Sequence, residues 1–130
     1  MTLYRPVGTR ELSLIAESGY TRFPPRLPEQ PIFYPVLNEE YAREIAERWN
    51  VKRSSDRKGY VTAFEVDDAY ASRFEIHTVG RRCHQELWVP AEELDEFNSH
   101  ISGPIRVIAA FSAEGEPAEK TGPIPRGHAR

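Results

Sequence analysis

Cysteine is nearly absent: Cys83 stands alone in 130 residues. One thiol forms no internal disulfide and supplies no metal-ligand spacing, which excludes a disulfide-stapled scaffold and a zinc ribbon and points away from an oxidising compartment. Long apolar runs are missing too. None approaches the ~20 residues of a membrane-spanning helix, and the opening MTLYRPVGTREL carries no signal-peptide hydrophobic region. The expectation is a cytoplasmic protein with no membrane partner. Charge of either sign is not in large excess, with 17 Lys and Arg against 20 Asp and Glu and a net charge of −3. That balance gives no global field for a polyanion. The basic residues gather in short runs, Lys52-Arg53, Arg57-Lys58 and Arg81-Arg82, around turns or loops, where they read as solvated charge or as a local anion site. Nucleophile elbows, phosphate-cradling glycine loops and metal-ligand clusters are likewise lacking.

What is present is enough for one core. The chain is 39% hydrophobic, with two Trp, six Tyr and six Phe, and its length suits one domain rather than two. Five of the eleven prolines fall within FPPRLPEQPIFYP, residues 23–35. A linker is poor in large apolar groups, yet this stretch holds Phe23, Leu27, Ile32, Phe33 and Tyr34. Prolines that fix φ and bias the preceding residue to extended geometry leave little entropy to lose on folding, so the stretch reads as a rigid, packed loop. A rival reading is a docking peptide, since Arg22, Pro25 and Pro28 match R-x-x-P-x-x-P.

Periodicity predicts a first strand over residues 2–7, a helix capped by Thr9 with Leu12, Ile15 and Ala16 on one side, and a glycine stop at Gly19. A short strand follows over residues 32–36. Asn38 caps a stronger helix, NEEYAREIAERW, with Glu39 and Glu40 in its first turn, and residues 50–59 read as a loop. Strands are expected over residues 60–66, 74–79 and 83–89, a short helical turn over 67–73, a helix with Pro90 at its first position, and a last strand over 105–111. The fold class is α+β. Residues 1–111 form the domain, and residues 112–130, rich in Gly, Pro and charge, read as a flexible polar tail.

Strand alternation places His84, Glu86 and Trp88 on one face: a base, a carboxylate and a stacking surface in a row. The alternative is a Glu86 paired with an arginine at a sheet edge and a Trp88 in the core. Arg5, beside Tyr4 in the first strand, either reaches solvent or presents its fork to a carboxylate or pyrophosphate. Tyr34, after the rigid loop, is core or a stacking platform. His77 and His100 have no metal-spaced partners.

The order LYRPVG, FPPRLPEQPIFYPVLNEEYA and HQELWVPAEEL-x-x-FN-x-x-I-x-GPI-x-V resembles a family of small bacterial proteins that carry the label "ADP-ribosylation/crystallin", over most of residues 1–111. The layout is similar to the ADP-ribosyltransferase fold, which implies a compact domain with two N-terminal helices and a mainly antiparallel split sheet. The resemblance also implies NAD as the substrate of a transferase acting on a protein or nucleic-acid acceptor. Arg5, with Tyr4, would hold the NAD, Tyr34 would stack near the nicotinamide, and Glu86, with His84 beside it, would stabilise an oxocarbenium-like ribose. All would share a cleft rimmed by the proline-rich loop. The chain departs from the arginine-type pattern, with IFYPV in place of Ser-x-Ser and His84-x-Glu86 in place of Gln-x-Glu. A non-catalytic nucleotide- or protein-binding module of the same fold is therefore the alternative.

Overall fold

Alternating apolar residues in the first segment form β1 (Thr2–Val7), which pairs antiparallel with β3 (Lys58–Val66). The other edge of β3 carries the long strand β7 (Ile101–Ser112). A computed structural model of the chain describes residues 1–53 and 55–112. On the far side of β1, Val36 bridges Tyr4 and Glu86, so β5 (Gln85–Leu87) and its hairpin partner β4 (Ile76–Thr78) extend the same layer. A separate two-residue ladder joins β2 (Ile32–Phe33) to β6 (Val89–Pro90). The domain is mixed α/β, and the ladders among the described residues are all antiparallel.

Residues directly opposite one another in an antiparallel pair project to the same face, and neighbours along a strand to opposite faces. The layer therefore separates two cores. One face carries Leu3, Val7, Phe64 and Leu87, covered by Phe23, Phe33 and Phe97. The other carries Val36 and Val61, covered by Tyr41, Ala42 and Ile45.

Helix α1 (Thr9–Glu17) starts at Gly8, not at a Thr9 cap: Thr9 is already helical, and its hydroxyl donates to Asp56. At the other end, Gly19 takes φ +77°, its N–H reaches the Ala16 carbonyl and that of Tyr20 the Ile15 carbonyl. This is the paired C-terminal closure that a glycine permits. Helix α2 (Glu39–Ile45) has the expected cap, the Asn38 side-chain oxygen Oδ1 accepting from the Tyr41 N–H. The amide of Asn38 also donates to the Cys83 carbonyl, tying the cap to the β4–β5 hairpin. Asn38→Ala is expected to cost about 1–2 kcal/mol, measurable by urea denaturation.

Beyond Ile45 the expected helix changes its winding, and at residues 50–53 the chain differs from the expected loop. It continues as a π-helical turn, Ala46–Asn50, and a last helical turn, Val51–Arg53. Gly59 at the start of β3 packs against this turn so closely that a Cβ there would stand 2.5 Å from the Ala46 carbonyl oxygen. Helix α3 spans Asp68–Ala71, and α4, Leu94–Ser99, follows a 3-10 turn at Ala91–Glu93. Pro90 thus lies in β6, ahead of the helix and not at its first position. Ile101, expected on the helix, opens β7, because Val66 pairs with it and extends the ladder. The expected strand over residues 32–36 is broken after Phe33, since Pro35 has no N–H to donate and uses only its carbonyl, toward Leu87.

The proline-rich segment is packed at its ends, through Phe23 and Phe33, while Leu27 between them is exposed, contrary to the expectation of a loop packed throughout. Phe23 is buried edge-on to Phe64 at 4.8 Å and tilted against Phe33 at 5.1 Å. Asn98 clamps its backbone, accepting from the Phe23 N–H and donating to its carbonyl. Apart from Ser112, the expected tail lies outside the described residues.

Candidate ligand-binding site

Glu86 is fully buried. One carboxylate oxygen accepts from the Tyr41 hydroxyl at 3.0 Å and the other from the Trp88 indole at 2.9 Å. His84 stacks on the Tyr41 ring at 4.2 Å, and its Nε2 lies 3.2 Å from a Glu44 carboxylate oxygen. Tyr41 therefore sits between the two residues expected to act together, His84 against its ring and Glu86 against its hydroxyl. Trp88 is stacked on His77 at 3.7 Å and meets Tyr34 edge-on at 6.2 Å. The expected common face of His84, Glu86 and Trp88 is present, but the carboxylate is an internal hydrogen-bond hub.

Arg5 is 1% exposed. Its Nε and Nη2 form a two-pronged ion pair with Glu11 of α1, at 2.7 and 3.0 Å, and its guanidinium lies 4.7 Å over the Phe33 ring. Nη1 is buried without a hydrogen-bond partner among the described residues. The carboxylate that holds this arginine comes from the chain itself. Burial alone would make the charge costly, and Glu11 compensates it.

The two residues do not share a cleft. Tyr4, Val36 and Glu86 follow one another across the layer as directly opposed partners, so their side chains lie on one face and that of Arg5 lies on the other. Two strand spacings, about 10 Å, also separate β1 from β5. The expected meeting of Arg5 and Glu86 is corrected on this point. Tyr4, expected to assist Arg5, packs on the opposite face against the core around Val36 and Tyr41.

No family model, curated protein or solved structure matches this chain.

Two clefts meet at the proline-rich loop. The larger, about 690 Å³, runs between the loop and the start of α1 and is lined by Glu11, Glu17, Pro24, Pro25 and Arg26, among others. The smaller, about 320 Å³, lies where the π-helical turn faces the loop's end and is lined by Arg26, Glu29, Tyr34, Trp49 and Arg53. Arg26 and Gln30 belong to both. Arg53 lies flat over Trp49, 4.2 Å from the ring centroid, which holds a cation beside the smaller opening. Of the three residues expected to bind a cofactor, only Tyr34 lines either cleft.

Arg26 was not singled out by its position in the sequence. Its Nε donates to the Ile32 carbonyl at 3.0 Å, fixing the guanidinium across the loop. Burial first, and then the neighbouring Arg5 charge, hold its pKa down to about 10, while Glu11 and Tyr34 act in the opposite direction. The positive charge is thus incompletely compensated where the two clefts join. The available signal was a charged side chain inside a segment stiffened by Pro24, Pro25 and Pro28, where little entropy is lost on holding it.

Among the described residues no His, Cys, Asp and Glu group fits a metal ion, and no helix is long and apolar enough to cross a membrane.

Proposed function

We propose that this domain is a non-catalytic module that binds a nucleotide, with NAD as the leading ligand. The observation that carries this reading is the pair of clefts joined at Arg26. A dinucleotide has two ring-bearing halves linked by a pyrophosphate. The smaller cleft offers Tyr34 and Trp49 to one ring, with Arg53 at its rim, and the larger gives room for the other half. Arg26 stands between them, where the linking phosphates would lie, and a guanidinium suits phosphate oxygens. Both volumes fall within the usual range for small-molecule sites.

Turnover requires a carboxylate beside the ribose to stabilise developing positive charge. Glu86 is the carboxylate that the family resemblance assigns to this task, and it is buried on the other side of the layer from Arg5. The arrangement therefore favours binding without transfer of ADP-ribose.

Calorimetric titration with NAD and ADP-ribose, run beside an assay for free nicotinamide, tests the proposal. Saturable binding of both, with no nicotinamide released, is the expected result. Trp49→Ala is expected to weaken binding by about 1–3 kcal/mol, the range for an aromatic platform under a base. Absence of binding would remove the nucleotide reading. Release of nicotinamide that depends on Glu86 would restore the transferase one.

A further inference from the structure

Arg5, Glu11 and Arg26 form a cluster whose charges do not cancel. Arg26 and Glu11 line the same cleft, and around Arg26 the Arg5 guanidinium opposes its charge while the Glu11 carboxylate and Tyr34 favour it. That carboxylate is wholly given to Arg5, through both prongs of the fork. Arg5 keeps Nη1 buried and unpartnered among the described residues. A buried donor without an acceptor costs free energy that a further acceptor would recover.

Access comes through Glu11. Its side chain is 22% exposed and lines the larger cleft, whereas Arg5 behind it is 1% exposed. A ligand oxyanion entering that cleft meets the Glu11 carboxylate first, on the one fully buried guanidinium fork among the described residues. Carboxylate and phosphate oxygens present the same two-point geometry to a guanidinium.

We propose that Glu11 is a built-in competitor, its carboxylate occupying the Arg5 fork and exchanging it for a ligand oxyanion, so that the chain itself holds the site at low affinity. The inference rests on the nucleotide reading of the clefts and adds to it the means by which their affinity is set. Any ligand that presents an oxyanion near Arg26 displaces Glu11 toward the open cleft. Arg5 then exchanges one anion for another, with no stage at which its charge is buried alone.

Titration of the full chain with inorganic pyrophosphate and with NAD, in the wild type, Glu11→Gln and Glu17→Gln, tests this. Glu17 lines the same cleft, so its neutralisation measures the general effect of removing one negative charge there. Pyrophosphate is expected to bind Glu11→Gln about tenfold more tightly than the wild type, equivalent to about 1.4 kcal/mol, and Glu17→Gln to change little. A purely structural Glu11 would leave affinity unchanged or weaken it when neutralised. Equal gains in both variants would show a field effect and overturn the competitor role. NAD binding that is lost in Trp49→Ala, with no gain in Glu11→Gln, would remove this inference and leave the nucleotide reading intact. No binding of either probe to any variant would remove both. Should Glu11→Gln be unstable, the rise in its melting temperature with pyrophosphate supplies the same comparison, a larger rise than in the wild type being the supporting result.

Discussion

Arg5→Ala is expected to destabilise the domain by about 3–5 kcal/mol, the range for breaking a buried ion pair from one side. The substitution leaves Glu11 without the fork that compensates it, opens a void beside Phe33 and removes the guanidinium from that ring. Arg5→Lys is expected to recover only part of the loss, because an ammonium does not reproduce the two-point geometry. Replacing the pair together, as Arg5→Met with Glu11→Leu, is expected to be close to neutral, since hydrophobic groups of similar volume substitute well for buried ion pairs. Urea denaturation of the three variants supplies the comparison. A cost below about 1 kcal/mol for Arg5→Ala would match an exposed pair instead and would contradict the structural role assigned to this arginine.

The second large effect concerns Glu86. Its removal in Glu86→Ala takes the acceptor away from the Tyr41 hydroxyl and the Trp88 indole and leaves a cavity under the β4–β5 hairpin. Each orphaned donor costs about 1–3 kcal/mol, so a total of about 2–6 kcal/mol is expected. Glu86→Gln retains an acceptor oxygen and volume, and is expected to cost about half as much or less. Catalytic carboxylates behave differently, because active sites are often strained and their removal can stabilise a protein. A melting curve for Glu86→Ala that is unchanged or shifted upward would therefore argue for a functional carboxylate. NAD affinity in the folded fraction is expected to stay within about twofold of the wild type, since the residue lies across the layer from Arg5 and lines neither cleft.

The contrast between these residues and Arg26 shows what the sequence could and could not reveal. Strand alternation grouped His84, Glu86 and Trp88 correctly, because the period of two is local to one strand. It also made Tyr4 and Arg5 point apart, yet the resemblance to ADP-ribosyltransferases drew both toward one ligand. Which of them shares a face with Glu86 depends on Val36, whose bridges to Tyr4 and Glu86 carry the alternation from β1 to β5. A shift of one residue in either bridge would have brought Arg5 to the Glu86 face. Nothing in the spacing of eighty residues records that register.

Local chemistry was legible at the Asn38 cap on α2, the left-handed Gly19 that ends α1, and the loss of ladder pairing at Pro35, though the starts expected at Thr9 and Pro90 were each off by one position. The same holds for the stiff loop, whose prolines and aromatics predict packing, as the buried Phe23 displays. The helix through Trp49 was legible, but its π-helical winding from Ala46 and its extension to Arg53 were not, because they go with close packing against Gly59 at the start of β3. Extension of β7 back to Ile101 likewise came from its long-range partner Val66.

The sequence by itself determined the mixed α/β composition, the Asn38 cap of α2, the strand alternation and the burial of Phe23 and Phe33 at the ends of the proline-rich stretch, since these follow from neighbours a few positions apart. Tertiary structure alone decided that Arg5 faces Glu11, that Glu86 faces Tyr41, and that Arg26 stands where two clefts meet. Those outcomes depend on strand register and on which charges are buried together, and both are set by contacts between segments far apart in the chain.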